Sequence, residues 1–214
     1  LPLEEDENKA FKIAAEYCGV SLTGAIKAML FKKSIDARRG NIKIVRSVLI
    51  EGIEDEAAFL SKNKLKNASL YLQTKLNDII SRLPSVSSQK HGELPVVVGF
   101  GPAGIFAGLT LARRGLKPLI IERGEEISKR DKSVADFKSK RILNPQSNIQ
   151  FGEGGAGAYS DGKLTTRIND PLCDAVINEL IAHGAPTDIM TNAHPHIGTD
   201  LLKNVVKNIK NEIM

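Results

Sequence analysis

A short apolar run that leads directly into a cluster of glycines limits the possible folds more than any other feature of the sequence. The run is Val96–Val98, and the cluster that follows, GFGPAG at 99–104, fits the pattern G-x-G-x-x-G. An apolar run of this kind predicts a central parallel strand buried on both faces. The glycines allow a tight turn, a close approach of backbone to a pyrophosphate, and close packing of the next helix. The sequence therefore predicts a strand, a turn and a helix whose first amides face a diphosphate.

A second strand and an acidic residue complete this pattern. Gly108 and Ala112 continue a small-residue face along the predicted helix, Gly115 ends the helix, and the apolar run KPLII follows. Glu122 comes at the end of that run, where a carboxylate can accept hydrogen bonds from an adenosine ribose. It would repel a ribose 2′-phosphate, which Arg123 alone could accommodate. A cofactor without that phosphate is therefore favoured.

A second glycine-rich segment, NIQFGEGGAGAYSDGKL at 148–164, predicts an irregular loop in which backbone comes close to another group. Ser160, Asp161 and Lys163 add a hydroxyl, a carboxylate and an ammonium group. One interpretation is a loop along a long cofactor, with Lys163 or main-chain N–H groups near phosphate or flavin oxygens. The alternative is a mobile surface loop. A charged helix, EISKRDKSVADFKSKRIL, precedes this segment where a plain NAD domain would supply a third strand.

Together, 99–123 and 153–164 resemble the FAD-binding domain of flavoproteins that have two dinucleotide-binding domains, and in particular the bacterial FAD-dependent (NAD(FAD)-utilizing) dehydrogenases. The resemblance implies that the first glycines hold the FAD pyrophosphate, that Glu122 holds the AMP ribose and that Arg123 lies near the adenosine. It also implies that the second glycine segment runs beside the pyrophosphate and flavin. The candidate cofactor-binding residues are Gly99, Gly101, Pro102, Ala103, Gly104, Glu122, Arg123, Gly154, Gly155, Ala156, Ser160, Asp161 and Lys163.

The activity implied by this resemblance is that of an FAD-dependent oxidoreductase, in which the flavin accepts a hydride from a substrate or from NAD(P)H. In that family a further strand, a substrate domain and a late acidic residue near the flavin follow the last helix. The cofactor domain is therefore expected to be incomplete within these residues, and no catalytic residue is predicted. Three alternatives stay open: an NAD(P)-binding Rossmann protein without flavin, a flavoprotein that acts on or binds RNA, and an incomplete domain that binds nothing.

The expected fold class is α/β: an incomplete Rossmann-like FAD-binding domain at 95–214, preceded by a small α+β domain at 1–84. Three serines and a glycine lie at 85–94, between Pro84 and Pro95, which predicts a linker. Within the first domain, 5–18 predict a helix, and two strands are expected around a turn at 39–41. A long helix is predicted from an apolar stripe at helical spacing, formed by Leu65, Ala68, Leu72, Leu76, Ile79, Ile80 and Leu83.

The charge pattern is compatible with an anionic ligand, since the net charge is +5. Much of the excess lies in the predicted hairpin, at Lys32, Lys33, Arg38, Arg39, Lys43 and Arg46. This cluster is interpreted as a solvated hairpin with a charged edge. The alternative is a nucleic-acid patch, which the small aromatic fraction of 5% disfavours because few rings are present to stack on bases.

The remaining features predict a cytoplasmic protein with no membrane segment and no metal site. The N-terminal stretch is acidic and does not resemble a signal peptide. Cys18 and Cys173 are expected to be buried, reduced thiols. His194 and His196 lie two apart, which does not suit two ligands on one helix face, so a structural role in a loop is predicted. Near the end of the chain, one helix is predicted from Asp170-Pro171 to His183, and a last one is predicted to be capped by Thr199.

Overall fold

The structure is a computed structural model that describes residues 6–38, 42–84, 94–166, 168 and 170–214. Within these ranges the chain is mixed α/β. Its helices and strands, in chain order, are α1 (Glu7–Cys18), β1 (Lys27–Asp36), β2 (Lys43–Glu51), α2 (Glu56–Asn63), α3 (Leu76–Arg82), β3 (Val96–Val98), α4 (Pro102–Arg113), β4 (Leu119–Ile121), α5 (Ile127–Lys140), α6 (Pro171–Ala182) and α7 (Thr199–Ile213). Two short 3-10 helices lie at Ala156–Tyr159 and Thr187–Met190.

The chain forms two compact units. The first contains Leu1–Gln73 and Thr187–Pro195, and the second contains Thr74–Pro186 and His196–Met214. This division differs from the predicted one, which follows residue 84. Helix α3 belongs to the second unit because it packs against α4 and α6. The predicted linker at 85–94 lies, except for Leu94, outside the described residues.

The first unit is built on an antiparallel pair of strands, as predicted. Strand β1 pairs with β2 from Lys27↔Glu51 to Asp36↔Lys43, and α1 packs on both strands. The backbone of Lys33 in β1 also exchanges hydrogen bonds with Thr191 and Ala193. This pairing explains why a segment distant in sequence joins the first unit. The predicted turn at 39–41 lies outside the described residues.

The predicted long helix over 65–83 is wrong, apart from its last part. Helix α2 ends at Asn63, and its C-cap, Lys64, has a left-handed φ of 49°. The backbone then runs without regular structure until α3 begins at Leu76. The apolar side chains do not form one buried stripe, since Leu72 is 85% exposed. Tyr71 instead packs its ring on Phe31 of β1, with centroids 4.5 Å apart. Helical spacing alone could not reveal this contact with a strand.

The second unit contains a βαβ arrangement in the predicted place. Strands β3 and β4 are parallel, with Val97 opposite Ile120, and α4 connects them. Val97 is buried, but Val96 and Val98 on the other face are 56% and 83% exposed. The prediction of a strand buried on both faces is therefore wrong for the part of the chain that the structure describes, because only one face of this pair is covered there.

The later helices follow the predicted order. Helix α5 occupies the charged stretch, and α6 begins at Pro171 with the Asp170 side chain accepting a hydrogen bond from the Leu172 N–H at 2.8 Å. Gly198, rather than Thr199, is the N-cap of α7. The buried face of α7 contains Val205, Val206 and Ile209, whereas Leu201 is 45% exposed.

A partly buried polar network joins α4, α6 and α7. Arg113 donates to both carboxylate oxygens of Glu179 at 2.7 and 2.9 Å, and its Nε donates to Glu212 at 2.6 Å. His183 Nε2 lies 2.8 Å from the second oxygen of Glu212. The Arg113 hydrogen bond and, to a smaller extent, the one from His183 hold the pKa of Glu212 below its usual value. The network fixes the end of α4 that is distant from its glycine-rich start. Every helix in the described ranges is too short or too polar to cross a membrane.

Candidate cofactor site

The first glycine loop, Gly99–Gly104, joins β3 to α4 through a turn that requires glycine. Gly99 has a φ of +93°, and its N–H continues the sheet by donating to the Ile121 carbonyl at 2.7 Å. Gly104 lies so close to the turn that a Cβ there would be 1.9 Å from the Gly99 carbonyl oxygen. Gly101 is the N-cap of α4. The spacing of the glycines therefore serves a tight turn and a helix that starts directly against the strand.

The N-terminal end of α4 is open to solvent. Pro102, the first helical residue, and Ala103 are both exposed. The N–H groups of Ala103 and Gly104 lie in the first turn, where an α-helix offers its amides no partner of its own. This end can therefore accept an anion, and the helix dipole would favour one.

Glu122 lies beside the first glycine loop. One of its carboxylate oxygens accepts a hydrogen bond from the Phe100 N–H at 2.6 Å, and the other accepts one from the Gly124 N–H at 2.8 Å. A carboxylate has about four acceptor positions, so both oxygens can accept further hydrogen bonds. The side chain thus braces the loop and keeps the capacity to bind hydroxyl groups. The predicted contact with a ribose stays a prediction.

The second glycine loop, Gly152–Gly162, packs directly on the first. The Gly154 N–H donates to the Phe100 carbonyl at 2.8 Å. A Cβ on Gly155 would lie 3.1 Å from Pro102 Cδ and 3.3 Å from Gly101 Cα. Much of the loop is buried, including Gly152 and Ala158. It is irregular, as predicted, except for the 3-10 helix at Ala156–Tyr159, and the alternative of a mobile surface loop does not suit this burial.

Arg130 of α5 holds the backbone of the second glycine loop by hydrogen bonds. This role was not predicted from the sequence. Its side chain is completely buried, and its guanidinium group donates only to backbone carbonyls. The acceptors are Asn148 at 2.8 Å, Ile149 at 3.0 Å, Gly152 at 3.2 Å, Glu153 at 2.7 Å and Gly155 at 2.9 Å. A signal was present in the sequence, because Ile127, Arg130 and Val134 recur at helical spacing and form the buried face of α5.

The ring of Tyr159 packs against Arg130, whose guanidinium carbon lies 4.2 Å from the ring centre. The Tyr159 hydroxyl donates a hydrogen bond to Asp131 at 2.8 Å. Burial lowers the pKa of Arg130, but a guanidinium group keeps its charge inside proteins. The pKa of Tyr159 is raised, first by burial and then by its hydrogen bond to Asp131. The site therefore contains a fixed, buried cation under the second glycine loop.

Gly124, Gly152 and Arg130 form a seam in which two backbones and a side chain touch. A Cβ on Gly124 would lie 2.5 Å from Gly152 Cα, and a Cβ on Gly152 would lie 2.6 Å from Arg130 Cδ. Nearby, buried Glu153 accepts from the Ile127 N–H at 2.7 Å and pairs with Lys210 at 2.8 Å. These contacts attach the second glycine loop to the start of α5 and to α7.

The other predicted site residues are more exposed. Arg123 stacks on the Phe151 ring, with the guanidinium carbon 4.1 Å from the ring centre. Asp161 and Lys163 pair with each other at 2.7 Å, and this contact lowers the pKa of the Asp161 carboxyl. Ala156 and Ser160 are exposed as well. The structure brings Gly101, Gly104, Glu122, Gly154 and Gly155 together, whereas the side chains of Asp161 and Lys163 are held by one another.

The basic hairpin residues are dispersed among different contacts. Arg38 pairs with Asp36 at 2.7 Å, and Lys32 lies 5.8 Å from the centre of the Phe31 ring. Lys43 and Arg46 line a cavity of about 1050 Å³ within the first unit. Arg39 lies outside the described residues. These contacts give no support to a continuous basic patch.

Within the described residues, the histidines and the cysteines form no reactive cluster. His194 and His196 are exposed, and the part of the chain that the structure describes contains no group of three His, Cys, Asp or Glu side chains suited to a metal ion. Cys18 and Cys173 are free thiols that are half-buried rather than buried. Burial raises the pKa of Cys18, which makes it a weaker nucleophile at neutral pH.

Comparison with known proteins gives one clear similarity. The chain is 46% identical, over all of its 214 residues, to a protein of Clostridium beijerinckii described as uncharacterized, and it spans 39% of that protein's length. No family model matches the chain. The similarity carries no statement about chemistry, so the resemblance to FAD-dependent dehydrogenases stays a prediction.

Proposed function

We propose that this chain binds FAD at the surface where its two glycine loops meet and belongs to an FAD-dependent oxidoreductase. The diphosphate would lie at the N-terminal end of α4, and Glu122 would accept hydrogen bonds from the adenosine ribose. In this proposal the second unit is the start of a Rossmann-like FAD-binding domain. A cytoplasmic location and the absence of a membrane-bound partner belong to the same proposal.

The observation that carries the proposal is the contact between Gly155 and the start of α4. A Cβ on Gly155 would meet Pro102 and Gly101 at 3.1–3.3 Å, so backbone from two separate loops meets at the exposed end of one helix. A diphosphate needs this kind of surface, because it is recognised by several main-chain N–H groups at once. Glu122, held at 2.6 Å from the Phe100 nitrogen, places a carboxylate next to that surface.

FAD, when bound, would supply the redox chemistry by accepting a hydride from a substrate or from NAD(P)H and passing the electrons on. The residues of this chain would bind and orient the cofactor. Because the chain spans 39% of its relative's length, the substrate and the electron acceptor of the whole protein are not assigned by these residues.

The test is to purify the protein at full length and record its absorbance before and after addition of FAD. We expect a yellow protein, or a gain of flavin absorbance on reconstitution, with FAD identified after denaturation by chromatography. A colourless protein that takes up no FAD would contradict the proposal. A colourless protein that binds NAD(P)H instead would favour a Rossmann protein without flavin. Such a domain would be expected to have a third strand soon after β4, where this chain has α5.

A further inference from the structure

We infer that Arg130 is a positioning residue for the diphosphate of the bound dinucleotide, acting through the backbone of the second glycine loop. The inference rests on the proposed function and adds a residue that no motif in the sequence identified. Arg130 would not contact the cofactor. It would fix the direction of the main-chain N–H groups that do.

The geometry of the peptide group determines which way the N–H groups of the second loop point. In a trans peptide the carbonyl and the following N–H point in opposite directions. The Glu153 carbonyl accepts from Arg130 at 2.7 Å, and the next N–H, that of Gly154, donates to Phe100 in the first glycine loop at 2.8 Å. The side of the second loop that faces away from Arg130 is therefore the side that faces the first loop.

The peptide two further along the chain is oriented in the same way. The Gly155 carbonyl accepts from Arg130 at 2.9 Å, so the Ala156 N–H points away from Arg130. Ala156 begins the 3-10 helix, where the first N–H is not needed for hydrogen bonding within the helix. Gly155 itself lies against Gly101 and Pro102. Arg130 thereby aims the Ala156 N–H toward the open end of α4.

Arginine suits this task better than lysine. Its planar guanidinium group holds several donors in one rigid arrangement, so it can bind all five carbonyls simultaneously. Its buried charge also adds a positive potential under the loop, where it would favour a diphosphate. Lysine would keep the charge and lose the arrangement.

The experiment uses the full-length protein after removal of any bound flavin. Affinities for FAD and ADP are measured by calorimetry, and that for adenosine by ligand-observed NMR. The variants are Arg130→Lys and Arg130→Gln, at a temperature where circular dichroism shows them folded. We expect FAD and ADP to bind at least about tenfold more weakly, as for loss of aligned hydrogen bonds to a charged group, with a smaller loss in Arg130→Lys. The affinity for adenosine, which has no phosphate, should change by less than about twofold.

A second pair of variants keeps Arg130 intact. In Gly155→Ala, whose φ is +67°, the new Cβ would press on Pro102 and Gly101, and FAD and ADP affinity should fall while adenosine affinity stays. In Gly24→Ala, in the first unit, no atom lies within 4 Å of the new Cβ, so all three affinities should stay unchanged. This pair tests the loop position if the Arg130 variants do not fold.

Two results would overturn the inference alone. One is that the wild-type protein binds FAD and the Arg130 and Gly155 variants bind FAD and ADP with the same affinities as the wild type. The other is an equal loss of FAD, ADP and adenosine, which would indicate general loosening rather than a role at the diphosphate. A wild-type protein that binds neither FAD nor ADP would instead overturn the proposed function, and the inference with it.

Discussion

The two glycine loops of the second unit are both surfaces of backbone, but different contacts hold them. The first is shaped by its neighbours in sequence, with a strand before it, a helix after it and Glu122 accepting from Phe100. The second is shaped by Arg130, which donates to three carbonyls of the loop and to two just before it. One loop is therefore a product of local chain geometry, whereas the other depends on contacts with a buried side chain from another element.

The difference also extends to how each loop responds to conditions. The helix that follows the first loop is anchored by Arg113 to Glu179 and Glu212, and the hydrogen bond from Arg113 holds the pKa of Glu212 below its usual value. Arg130 holds the second loop through carbonyls, which do not titrate, and Glu153 also attaches that loop to α5 and α7. Acid should therefore weaken the Arg113–Glu212 pair without affecting the hydrogen bonds from Arg130 to the carbonyls. Four predictions test this contrast.

The largest effect is expected for Arg130→Met, measured by urea unfolding of the full-length protein. Methionine keeps an apolar stem but leaves five carbonyls without their donor. We expect a loss of about 4 kcal/mol in the free energy of unfolding. The matched control is Lys129→Met on the same helix, where the side chain is 72% exposed and the loss should be under about 0.5 kcal/mol. Equal losses in both variants would contradict the role given to Arg130.

Gly104→Ala should have the next largest effect and tests the first glycine loop. The new Cβ would lie 1.9 Å from the Gly99 carbonyl oxygen, so α4 must move away from the turn. We expect a loss of about 3 kcal/mol in the free energy of unfolding, since overpacking against backbone is poorly relieved. Gly157→Ala, with 3.9 Å of free distance, serves as the control and should cost under about 0.5 kcal/mol. A tolerated alanine at 104 would mean that helix and turn are not packed as closely as described.

Glu122→Gln should weaken FAD binding by about tenfold, as judged by fluorescence titration. The amide has one acceptor oxygen, so either the Phe100 or the Gly124 N–H loses its partner. The control is Glu126→Gln, whose side chain is 50% exposed and should leave the affinity within about twofold. Unchanged affinity in Glu122→Gln would remove the carboxylate from the proposed site.

Glu212→Gln should show the smallest effect, no more than about 1 kcal/mol, because the side chain is partly exposed. The pKa of Glu212 is lowered in the folded state by Arg113, so the carboxylate adds stability above the ordinary value of 4.5. This contribution disappears as the pH falls through the lower, folded-state pKa. Melting temperatures between pH 7 and pH 3 should therefore fall less steeply in the variant than in the wild type. Parallel curves would show that ionisation of Glu212 does not stabilise the fold even at neutral pH.

The features that sequence predicted well are those set by near neighbours. The strand, turn, helix, strand and acid from Val96 to Glu122 were predicted in order, because each depends on a few adjacent residues. Burial was predicted less well. Val98 was expected to be buried, yet exposure depends on what covers a strand rather than on the strand itself.

The failures share a physical cause, namely contacts between residues distant in sequence. The apolar residues from Leu65 to Leu83 have helical spacing, but most of this segment is not helical. Within it, Tyr71 contacts Phe31 of β1, which is distant in sequence. Arg130 was missed because a charged residue in a charged helix is usually solvated. The signal was its position on the same face as Ile127 and Val134, which a helical projection would reveal.

The seam of Gly124, Gly152 and Arg130 has a consequence for how this protein can diverge. The three residues pack so closely that a Cβ added to Gly124 would lie 2.5 Å from Gly152 Cα, and one added to Gly152 would lie 2.6 Å from Arg130 Cδ. A substitution at either glycine would force this packing apart and disturb the loop backbone that Arg130 holds by hydrogen bonds. Among descendants of this sequence, these three positions should therefore be inherited as a set, and a lineage that gives up one should have rebuilt the others.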